Sequence, residues 1–300
     1  MGGVIGRGGM ADVRVGRDLH SGHLVAIKTL RAGLAENPLF RSSLRREAHT
    51  MARLRHHAIV ALYDSGCDEI GEGTADKHVV PFIVMEYVAG WPLRDLLRTG
   101  GLTLAKSIHH QLGLLSALEA SHRAGIVHRD IKPANVMITS KGAVKLIDFG
   151  IASRSGDPAT TITHIRPFLG TPVYLSPEQA RGETADARSD LYSAGCLLFE
   201  LLAGQPPFTG DDPISVAYQH VHEKPPRAST GIPALDSVIA TALSKARDDR
   251  FQSARAFRDA LQSATTSVVR EDGANSTALD HHVPTALAMG SHAGITGINC

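Results

Sequence analysis

Residues 128–136, with the sequence HRDIKPANV, collect charged and polar side chains of several kinds between two apolar stretches. The residues able to do chemistry there are His128, Arg129, Asp130, Lys132 and Asn135. A solvated turn does not require that order of acid, base, cation and amide. What the loop can do therefore depends on the groups that the rest of the chain brings to it.

A lysine and a glutamate in the N-terminal part occupy positions that favour pairing. Lys28 ends the apolar strand VAIK, so its ammonium should lie close to an interior face. Glu47 lies on the apolar side of a helix predicted over residues 38–55, where an unpaired carboxylate is costly. Either side chain alone could extend into solvent, but the two together predict an ion pair.

A carboxylate and an amide are candidates for a cation site. Asp148 follows a short apolar strand and precedes Phe149 and Gly150, and a carboxylate at such a flexible strand end can hold a divalent cation. Asn135 can supply a second oxygen ligand, and oxygen ligands suit Mg²⁺. The alternatives are that Asp148 forms a turn and that Asn135 is a local cap.

Gly6, Gly8 and Gly9 lie in the stretch GVIGRGGMADV, between two strand-like segments. Glycine lets the backbone approach a ligand, and its N–H groups can cradle phosphate oxygens. The stretch lacks the Gly-Lys-Ser/Thr ending of a Walker A loop and the following helix of a Rossmann fingerprint. A simple hairpin is the alternative.

The composition is that of an ordinary globular protein. The 300 residues suit one large domain or two lobes that share a cleft. Hydrophobic residues make up 43% of the chain, and the net charge of +1 gives no reason to expect nucleic acid or an anionic membrane surface. Cys67, Cys196 and Cys300 form no CxxC motif, which favours a reducing compartment. With no signal peptide and no membrane-spanning apolar run, we expect a cytoplasmic protein, or a membrane-associated one where the native product extends beyond Cys300.

The hydrophobic pattern changes along the chain from strands to helices. Four segments in the first part are strand-like: ADVRVGRD, HLVAIKTL, IVALYDSG and PFIVMEYV. The same part has one predicted helix over 38–55 and one predicted loop over 68–78. From about residue 93 the period is helical, and SDLYSAGCLLFELLAG is apolar on nearly every side, as in a buried helix. Two further helices are predicted over about 233–245 and 253–263. We expect an α+β fold with a small β-rich lobe carrying one helix, a larger mainly helical lobe, and a ligand in the crevice between them.

The last part of the chain differs from the rest. After Ala264 the sequence is rich in Ser, Thr, Gly, Ala and His and has no period, which predicts a disordered tail over 265–300. The folded domain would then be 1–264, with the smaller lobe and connection over 1–88 and the larger lobe over 89–264.

Taken together, these motifs resemble those of the eukaryotic-type protein kinases. Over residues 2 to about 264, the motifs follow the order of that family: Gly6-x-Gly8 with Val13, VAIK, Glu47, HRDIKPAN, DFG, SPE and SDLYSAG. IKPAN after HRD resembles the Ser/Thr branch, and YLSPEQARG and DARSDLYSAGCLLFELLAGQPPFTGD are most similar to bacterial Ser/Thr kinases of the PknB type. The resemblance implies a two-lobe protein-kinase-like fold and ATP-dependent phosphorylation of Ser and Thr hydroxyls of proteins, in bacterial signalling.

The resemblance also implies catalytic roles, since phosphoryl transfer depends on positioning and charge neutralisation. Asp130 would accept or orient the proton of the substrate hydroxyl, and Lys132 would neutralise charge on the moving phosphoryl group. Lys28, braced by Glu47, would hold the α- and β-phosphates. His128 would be a strut of the core rather than a base.

ATP and a metal would be bound by both lobes. Asn135 and Asp148 would hold Mg²⁺, with Mn²⁺ as an alternative. Adenine would lie between apolar side chains and the connection between the lobes, under the glycine-rich loop. The nucleotide-binding residues implied are Ile5, Gly6, Arg7, Gly8, Gly9, Val13, Ala26, Lys28, Met85, Glu86, Val88 and Met137. Ordinary core packing explains Val13, Ala26 and Met137 equally well.

Further residues would support the site. Glu178 of SPE would form a buried ion pair with Arg250 of DDRF. Asp190, near the start of the buried helix, would anchor the backbone of the HRD loop.

The resemblance implies regulation on the activation segment, residues 148–178. Arg129 of the HRD motif would meet a phosphate there. Thr161 and Thr163 are the predicted autophosphorylation sites, because a phosphate adds nearly two negative charges and can order a loop through an arginine. Thr171 of GTP would be structural, bonded to the catalytic loop beside the substrate site.

The expected partners are protein substrates bearing Ser or Thr, and a homodimer through the N-terminal lobe is a hypothesis by analogy. No nucleic acid partner and no transmembrane segment are expected. Only five residues precede Gly6, so we expect either that the true start of the protein lies upstream of Met1 or that the first strand is shortened. Two alternatives stay open: a pseudokinase that keeps the fold without turnover, and a small-molecule phosphotransferase of related fold. The complete peptide-docking region, Gly170 to Glu178, argues against the second.

Overall fold

The computed structural model describes residues 2–9, 11–70, 78–100, 102–149 and 172–277. Its first part is a five-stranded antiparallel sheet in the order β1-β2-β3-β5-β4. The strands are β1 (Val4–Arg7), β2 (Ala11–Arg17), β3 (Leu24–Leu30), β4 (Leu62–Ile70) and β5 (His78–Glu86). β1, β2 and β3 are neighbours both in the sheet and along the chain, as in successive hairpins.

A long helix, α2 (Pro38–Ala52), packs on this sheet. It begins where Asn37 Oδ1 accepts a hydrogen bond from the Leu39 N–H at 2.9 Å, with a proline in the first turn. The buried residues of the helix are Leu44, Ala48 and Met51. They recur every three or four positions, so one face meets the sheet.

The N-terminal lobe holds a second helix that the sequence pattern does not predict. This helix, α1 (Ala32–Ala35), is a single turn, too short to show a helical period. The predicted loop over 68–78 is also shorter than expected, because Asp68 pairs with Val80 and Ile70 pairs with His78. Cross-strand pairing rather than residue type sets these strand ends.

The second part of the chain is mainly helical. Its helices are α3 (Leu93–Arg98), α4 (Leu104–Arg123), α5 (Pro177–Ala180), α6 (Ala187–Ala203), α7 (Pro213–His222), α8 (Pro233–Ala242) and α9 (Ala254–Thr277), with short 3₁₀ helices at Pro133–Asn135 and Arg247–Asp249. A three-stranded antiparallel sheet contains β6 (Gly90–Pro92), β7 (Val136–Thr139) and β8 (Val144–Leu146). In the part of the chain that the structure describes, no helix is both long enough and apolar enough to span a bilayer.

α6 is the central helix of this lobe. Asp186 begins it in a capping box with Ser189, and Gly204 ends it with a φ of 78°. Every residue from Ser189 to Phe199 is buried. A helix apolar on nearly every side therefore does lie in the interior, as the sequence predicts.

Helix ends differ from the predicted ones by a few residues, and α9 differs most. The helices predicted to end near residues 55 and 245 end at Ala52 and Ala242. α9 continues to Thr277 and passes through Gly273, although glycine is a poor helix former. The helix thus enters the predicted tail, and residues 278–300 lie outside the described part. The domain division at Ala264 stays a prediction.

Candidate active site

Lys28 on β3 joins two carboxylates from different parts of the chain. Its Nζ lies 2.7 Å from Glu47 Oε1 on α2 and 2.8 Å from Asp148 Oδ1, beyond β8. The Lys28 and Glu47 side chains are 14% and 12% exposed. The predicted contact of Lys28 with Glu47 is confirmed, and Asp148 joins the pair from the helical lobe.

Burial opposes charge on these three groups, and their mutual attraction offsets it. Although burial acts in the opposite sense, Asp148 and Glu47 raise the pKa of Lys28 above its ordinary value. Burial raises the pKa of Glu47, and Lys28 counteracts that shift. Despite burial, the ammonium of Lys28 lowers the pKa of Asp148. Lys28 therefore remains protonated at neutral pH.

The acidic residue of the HRD loop is held through one of its two oxygens. Lys132 Nζ lies 2.7 Å from Asp130 Oδ2. Asn135 Nδ2 donates to the same oxygen at 2.9 Å and to the Asp130 C=O at 2.8 Å. No described residue donates to Oδ1, and the side chain is 43% exposed. Oδ1 is therefore the carboxylate oxygen that these contacts leave accessible.

Asp190 on α6 anchors the backbone of this loop, which confirms the prediction. Its carboxylate accepts hydrogen bonds from the N–H groups of His128 at 2.8 Å and Arg129 at 2.7 Å. Arg129 itself has a φ of 67°, in the left-handed region that residues other than glycine seldom adopt. His122 Nε2 lies 2.7 Å from the same carboxylate, a contact that the sequence pattern does not reveal.

His128 is a buried strut, as predicted. Its Nδ1 accepts from the Asp130 N–H at 3.2 Å, so Nε2 carries the proton and donates to the Ile147 C=O at 3.1 Å. Its ring centroid lies 4.7 Å from that of Phe149. Burial lowers the pKa of His128, and both ring nitrogens are engaged by backbone groups. The ring is thus neutral and has no nitrogen left for a substrate.

The two residues predicted to hold a cation lie on adjacent segments. The Ile147 N–H donates to the Asn135 C=O at 2.9 Å, which brings the next residue, Asp148, beside Asn135. Because Asn135 Nδ2 donates to Asp130, its amide oxygen is the atom left for a ligand. A carboxylate and an amide oxygen fit a hard divalent cation.

The residues predicted to contact adenine lie where the two lobes meet. Ala26 on β3 pairs with Met85 on β5, and both are buried in the main hydrophobic cluster. Val13 and Val88 pack against this cluster and are partly buried. Met137 lies on β7 and is half-buried. Val13, Ala26, Met85 and Val88 thus share one hydrophobic cluster, which ordinary core packing also explains.

Glu86 makes contacts that the sequence did not predict. Its N–H donates to the Ala61 C=O at 2.9 Å, so this N–H is already engaged within the protein. Its carboxylate accepts from the Ala61 N–H at 3.1 Å and lies 2.7 Å from Lys145 Nζ on β8. These bonds join the two lobes beside the connection.

The glycine-rich stretch forms the turn between β1 and β2. The Gly8 N–H donates to the Ala11 C=O at 2.9 Å, and a Cβ at Gly8 would lie 3.3 Å from that oxygen. Gly9 faces open space. The other predicted residues of this loop, Ile5, Gly6 and Arg7, lie on β1, which is four residues long.

Of the regulatory residues, the structure describes one. Thr161, Thr163 and Thr171 lie outside the described residues, so their roles stay predictions. The C=O of Arg129 accepts a hydrogen bond from Gln179 Nε2 on α5 at 2.9 Å. This bond ties the HRD loop to the helix at the C-terminal end of the activation segment.

The predicted ion pair below the site is confirmed. Arg250 Nη1 and Nη2 donate to the two carboxylate oxygens of Glu178 at 2.9 and 2.8 Å. Both residues are buried. The pair fixes α5 to the segment before α9.

Comparison with known proteins agrees with this geometry. The family model described as "Protein kinase domain" matches residues 1–262. The chain belongs to the protein kinase family. Its two lobes are those of the α+β kinase fold, as predicted, and the family implies ATP and a divalent metal.

Individual relatives of this kinase domain are bacterial. A probable serine/threonine-protein kinase of Streptomyces coelicolor is 53% identical over 263 residues, which cover 86% of this chain and 38% of that protein. The serine/threonine-protein kinase PknB of Mycobacterium tuberculosis is 49% identical over 263 residues, covering 86% of this chain and 41% of that protein. The predicted resemblance to the PknB type is thus confirmed. The chain spans about two fifths of the length of the curated relatives it matches.

Proposed function

We propose that this kinase domain transfers the γ-phosphate of ATP to Ser and Thr hydroxyls of proteins, with residues 1–264 as the catalytic domain. The observation that carries the proposal is the contact of Lys28 with both Glu47 and Asp148, at 2.7 and 2.8 Å. It unites groups 120 positions apart, from both lobes, beside the HRD loop. The names of the matched serine/threonine-protein kinases support the same acceptor class.

Asp130 is proposed to accept the proton of the substrate hydroxyl. Because Lys132 and Asn135 hold Oδ2, the accessible Oδ1 takes the proton while the hydroxyl oxygen attacks the γ-phosphorus. The bond from the γ-phosphorus to the bridging oxygen breaks, ADP leaves with that electron pair, and Asp130 returns the proton to solvent. Lys132 offsets the negative charge that develops on the moving group.

Lys28 is proposed to bind the α- and β-phosphates. Glu47 holds its ammonium in place, at the cost of keeping a buried carboxylate. Asn135 and Asp148 are proposed to hold the divalent cation, Mg²⁺ or Mn²⁺. When bound, the cation neutralises phosphate charge.

The remaining nucleotide contacts are proposed from the positions of the side chains. Val13 and Ala26 would face adenine from one lobe and Met137 from the other. Met85 would close the back of the pocket. The Glu86 C=O and the backbone of Val88 would hydrogen-bond the ring, with residues 5–9 over the phosphates.

Transfer of radiolabelled phosphate from ATP to a protein substrate tests the proposal. Asp130→Asn and Lys28→Met should each lower transfer by a factor of order 10² or more. Asp211→Asn and Lys141→Met make the same chemical changes at exposed positions and serve as matched controls. Equal incorporation by the wild type and Asp130→Asn would trace the activity to a contaminant.

The same assay separates the alternatives. A wild-type protein that binds ATP but transfers no phosphate would be a pseudokinase. A wild-type protein that phosphorylates small metabolites and no protein would be a small-molecule phosphotransferase.

We further propose that Thr161 and Thr163 are autophosphorylated, that Arg129 receives the phosphate, and that Thr171 is a structural contact of the catalytic loop. The position of Arg129 supports this. Its C=O accepts a hydrogen bond from Gln179 on α5, the helix at the C-terminal end of the activation segment. Peptide mapping of the active protein should find phosphate on one or both predicted sites. Phosphate found on neither would contradict the proposal.

A homodimer through the N-terminal lobe and a cytoplasmic location are also proposed. The dimer is proposed by analogy with the PknB-type relatives. Cys67 and Cys196 are both free thiols, as expected in a reducing compartment. Sedimentation that shows monomers at all working concentrations would refute the dimer.

A further inference from the structure

Residues 172–176, here called the docking segment, directly precede α5. Under the proposed function they belong to the region that docks the substrate peptide. His220 on α7 reaches this segment through the interior and is 0% exposed. Its Nε2 lies 3.0 Å from the Val173 carbonyl oxygen, and its Nδ1 lies 3.0 Å from the Tyr192 hydroxyl on α6.

The two bonds define the state of the imidazole ring. A carbonyl oxygen can only accept, so Nε2 of His220 carries the ring proton and donates to Val173. Nδ1 is then an acceptor for the hydroxyl of Tyr192. Burial lowers the pKa of His220 to about 4, so this neutral tautomer persists at neutral pH.

Further contacts hold the ring from its other sides. The Phe208 ring meets it edge-on, with 4.9 Å between centroids. Lys245 Nζ donates to the His220 C=O at 2.7 Å and lies 3.5 Å from the Tyr192 hydroxyl. The ring therefore has little freedom to follow a displaced segment.

The docking segment is a turn fixed at two successive carbonyls. The Leu175 N–H donates to the Pro172 C=O at 3.1 Å and closes the turn. The Tyr174 C=O accepts from Ser193 Oγ at 2.6 Å, and the Val173 C=O has the imidazole. Side chains of α6 and α7 thus hold the two peptide units inside the turn.

We propose that His220 is a positioning residue that sets the backbone of the docking segment through Val173, and thereby sets how tightly a protein substrate binds. The proposal rests on the proposed function. His220 is too deep to touch a substrate, so it acts through the segment. A merely structural role, packing α7 on α6, would change stability and leave substrate binding as it is.

Two variants of His220 and one control test this in the full chain. His220→Leu removes both hydrogen bonds, and His220→Gln supplies a terminal amide that can still donate to the Val173 C=O. His110→Leu is the control, because this buried imidazole lies on α4 and has no bond to the docking segment among the described residues. The readouts are hydrogen exchange of the Leu175 amide and the steady-state constants for a peptide substrate and for ATP.

In His220→Leu, we expect exchange at Leu175 to be about tenfold faster and kcat/KM for the peptide to be about tenfold lower, because one of the two lost hydrogen bonds is the buried one that holds the docking segment. KM for ATP should not change. His220→Gln should recover part of the wild-type exchange rate and of the wild-type kcat/KM for the peptide. His110→Leu should change neither quantity.

The proposal is overturned if a folded His220→Leu protein exchanges Leu175 and phosphorylates the peptide as the wild type does. It is also overturned if His110→Leu changes the exchange at Leu175 and the peptide kcat/KM as much as His220→Leu does. Where His220→Leu does not fold, Tyr192→Phe, which removes only the hydroxyl bonded to Nδ1, decides by the same readouts. A wild-type protein that phosphorylates no peptide overturns the proposed function instead. The exchange at Leu175 then still decides whether His220 positions the segment.

Discussion

Replacing Arg250 with methionine should destabilise the helical lobe, because the change removes the partner of a buried carboxylate. Arg250 and Glu178 are 3% and 1% exposed. The guanidinium donates to both oxygens of Glu178 and to three backbone carbonyls. Methionine fills much of the same space and donates nothing.

The structure sets the size of the effect. Removing one partner of a buried ion pair typically costs about 3–5 kcal/mol. Arg247 Nε, 3.8 Å from Glu178 Oε1, and Ser189 Oγ, 2.6 Å from the same oxygen, remain and offset part of the loss. We expect the free energy of unfolding to fall by about 3 kcal/mol, or the Tm by roughly 6–12 °C for a domain of this size.

The pH dependence of stability gives the sharper test. Although burial acts the other way, Arg250 and Ser189 lower the pKa of Glu178 from 4.5 to about 2. In the wild type, Glu178 therefore contributes stability that is present above pH 4.5 and lost as the pH falls towards 2. Without Arg250, burial dominates and the pKa rises above 4.5, so protonation favours the folded state. The deficit of the variant should then shrink as the pH is lowered from 7 towards 4.5.

Thermal unfolding between pH 4.5 and 7.5 checks both expectations. The double variant Arg250→Met/Glu178→Gln should recover most of the loss at neutral pH, since it has no uncompensated buried charge. A deficit that is the same at every pH, or a double variant as unstable as the single one, would show that the cost comes from lost packing. The argument from the carboxylate would then be refuted.

Three smaller changes test other contacts. Asp190→Asn turns one acceptor into a donor, so one N–H of the HRD loop loses its partner. In steady-state phosphorylation assays, kcat should fall roughly tenfold, and KM for ATP should not change. Asn37→Ala removes the cap of α2 and should lower the free energy of unfolding in urea by about 1 kcal/mol. Lys145→Met removes the ion pair with Glu86. Because both side chains are partly exposed, the free energy of unfolding in urea should fall by at most about 1 kcal/mol. A larger fall would show that this pair behaves as a buried ion pair.

The sequence predicted best the contacts that follow from the cost of burying charge. Lys28 and Glu47 each occupy an apolar position where only a partner makes the charge tolerable, so their pairing could be inferred. Glu178, Arg250 and Asp190 carried no such local signal. The family resemblance predicted their contacts, and the structure confirms them.

Other features could not be read from the sequence because they depend on the tertiary fold. The carboxylate of Glu86 meets Lys145, 59 positions away, and neither position is unusual for an exposed charge. His220 gave no signal, since a single histidine on a helix carries no pattern. α1 was missed because one turn shows no period, and the ends of β4 and β5 depend on the partner strand.

Arg129 and Asp148 have φ values of 67° and 53°, although each carries a side chain. Such a conformation costs about 1–2 kcal/mol for a residue other than glycine, so the HRD loop does not adopt its shape on its own account. During synthesis, the loop leaves the ribosome about sixty residues before Asp190, whose carboxylate holds it. A nascent chain that ends before α6 therefore lacks the carboxylate that holds the HRD loop in this conformation.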